Sequence, residues 1–208
     1  MKEIRIKICG QTNPAIIEHC LNTGIDQQGL IFYRNSPRNL DLDTLKLIDQ
    51  YFYKYKKRFV GVFVNPTLEE IEEKLNIFDF DIIQLHGNED QLTINKIRNK
   101  FKKDIYKSIN PKDFKSTKLE NVSHFLIEEQ PDENELPGGN NKSWNWRSFE
   151  NPLSLPFIIS GGLKEENICQ AISLTGANFV DINSGVEGTK GKKNLSLIDS
   201  LVSSLRKL

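Results

Sequence analysis

Reactive side chains stand at or near the C-terminal ends of several short apolar segments of this sequence. They are Cys9, Arg38, Asn65, His86, Glu128 and Asp181. A thiol and a carboxylate that face each other across one cavity can share proton-transfer chemistry, because one group removes a proton from carbon while the other protonates an oxygen. A small buried Cys is the usual structural alternative, and an Arg that follows Ser-Pro is more often a solvated loop residue.

Two late segments predict a second kind of site. Phe157-Ile158-Ile159 runs into Ser160-Gly161-Gly162, and Phe179-Val180-Asp181-Ile182 runs into Asn183-Ser184-Gly185. An apolar run followed by small residues and then a helical pattern predicts a strand, a tight loop and a helix N-terminus. Backbone N–H groups in such loops bind phosphate without any Lys or Arg. We therefore expect a phosphate site formed by Gly161, Gly162, Ser184 and Gly185, although two ordinary Gly turns would give the same pattern.

The elements that must position these groups repeat along the whole chain. Strands are predicted at 4–8, 29–32, 59–64, 82–87 with its loop, 105–109, 124–127, 157–160 and 179–182. Helices are predicted at 13–23, 41–53, 67–75, 89–101, 111–119, 144–149, 165–174 and 195–208. The alternation predicts a parallel α/β fold. Polar residues at the strand ends and the paired Ser/Gly loops favour a (β/α)8 TIM barrel over a doubly wound sheet.

Length and composition limit the classes of protein. At 208 residues the chain is predicted to form one domain, 1–208. The segment 128–143 contains Pro131, Pro137, Gly138 and Gly139, and such an irregular stretch after strand six is predicted to be an active-site loop.

Charge and cysteine usage give no sign of a macromolecular partner. Lys plus Arg equals Asp plus Glu at 28 each, so neither nucleic acid nor a membrane is expected to be bound. No apolar run is long enough for a membrane helix, and the N-terminus lacks a signal-peptide core. Three Cys without C-x-x-C spacing predict a cytoplasmic protein without a metal site. The oligomeric state stays open between monomer and homodimer.

Six segments resemble a known family, in the same order along the chain. They are Lys7-Ile8-Cys9-Gly10, Phe32-Tyr33 with Ser36-Pro37-Arg38, Val60-Gly61-Val62-Phe63-Val64-Asn65, Gln84-Leu85-His86-Gly87, Ser160-Gly161-Gly162-Leu163 with Asn167, and Ser184-Gly185-Val186-Glu187. This set is similar to phosphoribosylanthranilate isomerase of tryptophan biosynthesis, and the resemblance covers about residues 4–205.

The resemblance implies an Amadori rearrangement of N-(5-phosphoribosyl)anthranilate to 1-(2-carboxyphenylamino)-1-deoxyribulose 5-phosphate, without a cofactor. Cys9 would be the general base that removes the C2 proton of the sugar. Arg38 would bind the anthranilate carboxylate, and His86 and Asp181 would line the mouth of the barrel. The two Ser/Gly loops would hold the phosphate of this small-molecule substrate.

One position departs from the family pattern. The family ends strand six with an Asp that serves as general acid, whereas this chain has Glu128 or Glu129 there, followed by Gly138-Gly139-Asn140-Asn141-Lys142 in place of Gly-Gly-Thr-Gly-Lys. Glu keeps the carboxyl chemistry but moves it by one methylene. Four functions are compatible with this difference. They are a working isomerase, a slow isomerase, a barrel that acts on another aminosugar substrate, and a catalytically impaired phosphosugar-binding barrel. Glu128→Asp is expected to leave the rate unchanged or to improve it.

Overall fold

Eight parallel strands form a closed barrel in the computed structural model, which describes residues 3–129 and 143–208. The strands are β1 Arg5–Ile8, β2 Gln27–Phe32, β3 Phe59–Phe63, β4 Ile82–Leu85, β5 Asp104–Ile109, β6 His124–Ile127, β7 Phe157–Ile159 and β8 Phe179–Ile182. Closure occurs where β1 pairs with β8, with Arg5 opposite Phe179 and Ile8 opposite Ile182. The predicted TIM barrel is therefore confirmed.

Helices follow the strands on the outside. They are α1 Pro14–Asn22, α2 Leu42–Phe52, α3 Leu68–Ile77, α4 Gln91–Phe101, α5 Pro111–Phe114, α6 Glu165–Thr175 and α7 Leu195–Leu205. Several begin at residues whose side chains cap the helix. Thr67 forms a full capping box with Glu70 at α3, and the Asn13 side chain accepts the Ala15 N–H at α1.

Two predicted helices are shorter in the structure. The prediction of 111–119 is wrong beyond Phe114, because the Ser116 hydroxyl donates to the Asp113 carbonyl and the Leu119 N–H donates to the Thr117 hydroxyl. Such local bonds compete with helix continuation. In place of 144–149, the structure has a single 3-10 turn, Trp146–Ser148.

An apolar cluster fills the interior of the barrel. It contains Cys9, Ile31, Val60, Val62, Ile82, Tyr106, Leu126, Ile158 and Phe179, so that all eight strands or their ends contribute. Two larger clusters lie between the strands and the helices. Because side chains alternate along a strand, residues two positions after an interior residue also point into the barrel, nearer the C-terminal mouth.

The connection after β8 contains a hairpin that the sequence did not predict. Its strands β9 Glu187–Thr189 and β10 Lys192–Lys193 are antiparallel. The predicted active-site loop 128–143 falls mostly on residues 130–142, which lie outside the described residues. In the described part of the chain, no helix has the length and apolar character needed to cross a bilayer.

Candidate active site

Strand alternation brings the predicted polar residues to one mouth. Asp181 lies two residues after the interior Phe179, and Glu128 lies two residues after the interior Leu126. His86 lies four residues after Ile82 on the same register. The mouth of the barrel therefore collects buried polar groups from several strands at their C-terminal ends, where TIM-barrel enzymes place their chemistry.

The Cys9 thiol lies at the boundary between the apolar interior and this polar mouth. Only 4% of Cys9 is exposed, and a Cβ on Gly29 would lie 2.6 Å from its Sγ atom, so the thiol packs directly on the backbone of β2. Below it on β1, the fully buried Lys7 places its Nζ atom 2.9 Å from Asp181 Oδ2. Asp181 Oδ1 has no hydrogen-bond partner within the described residues.

These three groups perturb one another. Burial raises the pKa of the Cys9 thiol, and the charges of Lys7 and Lys193 counteract that rise. Burial opposes the charge on Lys7, but Asp181 and Cys9 outweigh it and raise the pKa of Lys7. Burial also raises the pKa of Asp181, against the pull of Lys7. Of the two cations that lower the pKa of the Cys9 thiol, Lys7 therefore has the larger effect.

Glu128 is the carboxylate that faces the mouth, whereas Glu129 is exposed. The Glu128 Oε1 atom lies 2.5 Å from His86 Nε2, in ion-pair contact without the alignment of a hydrogen bond. The Ser108 hydroxyl donates to the same oxygen at 3.4 Å. On the other side of the ring, His86 Nδ1 lies 3.0 Å from the Gln84 side-chain nitrogen.

The contact between His86 and Glu128 makes them a coupled pair. Burial disfavours the charge on each, yet the Glu128 carboxylate raises the pKa of His86 and the imidazolium lowers the pKa of Glu128. These shifts favour the charged pair with the proton on His86, and transfer of that proton to Glu128 would convert the ion pair into a neutral pair. A protonated Glu128 is the form that can act as a general acid.

The loop that carries His86 is fixed by a second buried ion pair. Lys107 Nζ lies 3.0 Å from Glu89 Oε2 and donates to the Gly87 carbonyl at 2.7 Å. Glu89 also accepts the Asn65 N–H at 2.8 Å. The Asn65 side chain accepts the Asn88 N–H at 2.7 Å. Asn65, a sequence candidate for the mouth, therefore joins two loops in this structure.

Arg38 forms a buried charge cluster with the hairpin after β8. Its Nε and Nη2 atoms donate to the two carboxylate oxygens of Glu187 at 2.6 and 2.8 Å. Lys193 Nζ lies 2.9 Å from Glu187 Oε1 and donates to the Asn183 carbonyl at 2.8 Å. A Cβ on Gly10 would lie 2.7 Å from Arg38 Cδ, so this cluster borders the residue that follows Cys9.

The charges in this cluster do not balance, because two cations share one carboxylate. Burial lowers the pKa of Lys193, and Glu187 only partly offsets this. Burial also opposes the charge on Glu187, but hydrogen bonding from Arg38 and the charge of Lys193 lower the pKa of Glu187 to about 2. Two basic side chains therefore share one carboxylate, an imbalance that an anionic ligand would reduce.

The two Ser/Gly loops lie against each other. Gly161 and Gly162 have φ values of 85° and 63°, a left-handed region that Gly adopts without steric cost. The Gly162 carbonyl accepts the Asn167 side-chain N–H at 2.9 Å. A Cβ on Gly185 would lie 1.9 Å from the Leu163 carbonyl oxygen, so only Gly permits this contact. The structure thus places the loop that carries Gly161 and Gly162 in contact with the loop that carries Ser184 and Gly185.

Sequence reasoning missed several residues of this site. Lys7 and Glu187 lie inside segments that carry the family resemblance, but no role was assigned to them. The alternation of Lys7 with Ile6 and Ile8 was the available signal, because it places a Lys on the inner face of a buried strand. Lys193 had no comparable signal. Within residues 3–129 and 143–208, no three His, Cys, Asp or Glu side chains are grouped as metal ligands.

The matches to known proteins extend over almost the whole chain. Residues 6–204 match the family model for N-(5′-phosphoribosyl)anthranilate (PRA) isomerase. The N-(5′-phosphoribosyl)anthranilate isomerase of Sinorhizobium fredii is 32% identical over 97% of this chain and 93% of its own length. The enzyme of the same name from Acinetobacter calcoaceticus is also 32% identical, over 97% of this chain and 96% of its own.

Solved structures show the same architecture. Phosphoribosyl anthranilate isomerase from Thermotoga maritima superposes with a TM-score of 0.78 at 25% identity, covering 99% of this chain and 100% of that chain. The Thermus thermophilus structure reaches a TM-score of 0.82 at 21% identity, covering 98% and 99% of the two chains, and at that identity it supports the fold alone. On the family model and the curated relatives, this chain belongs to the N-(5′-phosphoribosyl)anthranilate isomerase family.

Proposed function

We propose that this protein isomerises N-(5′-phosphoribosyl)anthranilate to 1-(2-carboxyphenylamino)-1-deoxyribulose 5-phosphate, a step of tryptophan synthesis. Family membership over residues 6–204 supports the reaction. The observation that carries it in the structure is a buried thiol, Cys9, at the same barrel mouth as the buried ion pair of His86 and Glu128. A relative solved in complex with reduced 1-(o-carboxyphenylamino)-1-deoxyribulose 5-phosphate shows that this fold accommodates such a ligand.

The proposed chemistry needs one acid and one base. Glu128, with the His86 Nε2 atom 2.5 Å away as the source of its proton, protonates the ribose ring oxygen as the C1–O bond breaks and the anthranilate nitrogen forms a C1=N bond. The Cys9 thiolate then removes the C2 proton, which gives an enolamine. The enolamine becomes the ketone when its C2 hydroxyl loses a proton and C1 gains one. No atom is gained or lost, which is what an isomerisation requires.

The Arg38 cluster is the proposed site for the anthranilate carboxylate. Arg38 and Lys193 share the single carboxylate of Glu187, and all three side chains are buried. Glu187 occupies Nε and Nη2 of Arg38, so the substrate carboxylate would bind through Nη1 or replace Glu187. An anion is the ligand that relieves a buried, uncompensated cation.

Main-chain amides are the proposed phosphate site. Gly161, Gly162, Ser184 and Gly185 lie in the loops after β7 and β8, where barrels of this architecture commonly bind phosphate. The loop after β7 leads directly into α6, whose N-terminal dipole favours an anion. The Asp181 Oδ1 atom, without a partner in the described part of the chain, is proposed to accept a hydrogen bond from a sugar hydroxyl.

The cellular setting proposed for the protein is the cytoplasm, because the base must stay a free thiol and reducing conditions preserve it. Every proposed site residue comes from a single chain and a single barrel. The site is therefore compatible with both a monomer and a homodimer, and with one functional domain.

Turnover tests this proposal directly. Purified wild-type protein is expected to convert N-(5′-phosphoribosyl)anthranilate, and Cys9→Ala is expected to lose roughly 10²- to 10⁴-fold in kcat, the usual contribution of a general base. Both proteins should bind the reduced product analogue equally well. A binding-only barrel, the second candidate, would bind the analogue without turnover in the wild type.

A further inference from the structure

Lys7 stands first among the large side chains that the described part of the barrel buries completely. The proposed reaction assigns it no role. Lys7 has no exposed surface, although burial of an ammonium is expensive unless the charge is compensated. Its ion-pair partner is Asp181, whose Oδ2 atom lies 2.9 Å away. Met or Leu would fill the same space without the free-energy cost of burying a charge. The presence of a charged side chain at this position therefore requires an explanation.

The position of Lys7 supplies that reason. Lys7 lies on β1 and Cys9 follows the last residue of that strand, so the two are two positions apart and their side chains point to the same, inner face of the barrel. Asp181, the counter-charge, lies on the neighbouring strand β8, directly opposite Lys7 in the strand register. The Cys9 thiol therefore lies on the same inner face as the ion pair of Lys7 and Asp181. In the described part of the chain, this is the only ion pair that strands β1 and β8 bury.

Other charged groups face this set from the surrounding elements. Lys193 of the hairpin acts on Cys9 from the mouth, and Arg38 packs its side-chain stem on Gly10. From the far side, Glu128 and His86 act on Asp181. Lys193 and Arg38 share the carboxylate of Glu187 near the mouth, whereas Lys7 acts on the thiol from the interior side.

We propose that Lys7 is a positioning residue that stabilises the thiolate form of Cys9, and that Asp181 limits this effect by neutralising part of its charge. The proposal rests on the proposed function, in which Cys9 acts as a base. A buried thiol without a nearby cation would stay protonated at neutral pH, since removal from water disfavours the thiolate. The ammonium offsets that penalty without taking part in any bond to the substrate.

Two variants isolate the ammonium. Asp181→Asn breaks the ion pair and keeps Lys7. The double variant Lys7→Met/Asp181→Asn also lacks the ion pair, and it replaces both partners by neutral groups, which avoids leaving a buried charge unpaired. The two proteins differ only at Lys7. Urea unfolding of each checks that the barrel is intact.

The readout is the pH dependence of Cys9 alkylation by iodoacetamide in the ligand-free protein, followed by peptide mapping to separate Cys9 from Cys20 and Cys169. Wild-type protein should titrate between the variants, with Asp181→Asn shifted to lower pH and the double variant to higher pH. We expect the two variants to differ by at least about one pH unit, or tenfold in thiolate fraction, as for a nearby opposite charge.

Identical titration of Asp181→Asn and the double variant would overturn the proposal, as would a shift of both in the same direction. A merely structural ion pair would give such a result, since both variants lose it. The readout does not depend on turnover. Failure of the proposed function would instead appear as a wild-type protein that alkylates as described but does not convert N-(5′-phosphoribosyl)anthranilate.

Discussion

The Nε2 atom of His86 lies 2.5 Å from the Oε1 atom of Glu128, and both side chains are almost completely buried at the mouth of the barrel. The contact joins the end of β4 to the end of β6. It fixes the Glu128 carboxylate beside a titratable imidazole.

Shortening the side chain of Glu128 should break its contact with His86. In Glu128→Asp the carboxylate withdraws by one methylene, and a misplacement of about 1 Å at a reacting group can cost on the order of 10²-fold. We therefore expect kcat to fall about 10- to 100-fold, whereas the sequence alone favoured an unchanged or better rate. Steady-state kinetics check this, with Glu129→Asp as the matched control at the exposed neighbour. An Asp variant as fast as the wild type would show that the His86 contact is dispensable.

Removal of His86 should change the pH profile. The pKa of His86 is raised by Glu128, so the proton that the pair holds is lost only as the pH rises through this raised value. In His86→Gln the carboxyl must hold the proton alone. We expect the alkaline limb of kcat to move to lower pH, and kcat at pH 8 to fall about tenfold or more.

The raised pKa of His86 also predicts that the unfolding free energy lost in a His86 variant depends on pH. A raised pKa in the folded state stabilises the protein fully below the ordinary His value near 6.5, and the gain is lost as the pH rises through the raised value. His86→Gln should therefore lose more unfolding free energy at pH 6 than at pH 10. His19→Gln, at a more exposed His, is the control. Equal losses at both pH values would contradict a charged His86.

Binding of the substrate carboxylate should depend on the shape of Arg38. Lys at this position cannot reproduce the two parallel bonds to Glu187 or present a further N–H in the same plane. Arg38→Lys is expected to raise KM about 10- to 100-fold with a smaller effect on kcat. Arg206→Lys, at an exposed pair with Glu3, should change neither. If Arg38→Lys lowered kcat alone, a role in carboxylate binding would be wrong.

The contact between the two Ser/Gly loops predicts a strong effect of one methyl group. In Gly185→Ala the new Cβ would meet the Leu163 carbonyl at 1.9 Å, so the loops must separate. We expect weaker inhibition by ribose 5-phosphate, by about tenfold or more, and a lower unfolding free energy. Gly188→Ala provides the control, because its Cβ would have its nearest neighbour at 3.4 Å. Equal inhibition of both variants would exclude these loops as the phosphate site.

Much of the fold follows from local sequence patterns. The eight strands were predicted because apolar runs that end in polar or small residues recur along the chain, and the structure confirms all eight. The thiol and the carboxylate were found for the same reason, since both stand at strand ends. The hairpin 187–193 was missed because strands of three and two residues carry no alternation to detect.

The partners within the site could not be predicted in the same way. Lys7 and Asp181 are 174 residues apart, and Arg38 and Glu187 are 149 residues apart. Such pairs exist only once the barrel closes. The choice between Glu128 and Glu129 was equally inaccessible, because a slip of one residue exchanges the two faces of a strand. The register of β6 settles it by burying Glu128.

The most direct test of this account is the kcat of Cys9→Ala with N-(5′-phosphoribosyl)anthranilate, measured beside its affinity for the reduced product analogue. Cys169→Ala, at a half-buried thiol in α6, is the control. The account predicts that Cys9→Ala loses roughly 10²- to 10⁴-fold in kcat with unchanged analogue affinity. Full turnover in Cys9→Ala would show that the thiol at the end of β1 is not the base.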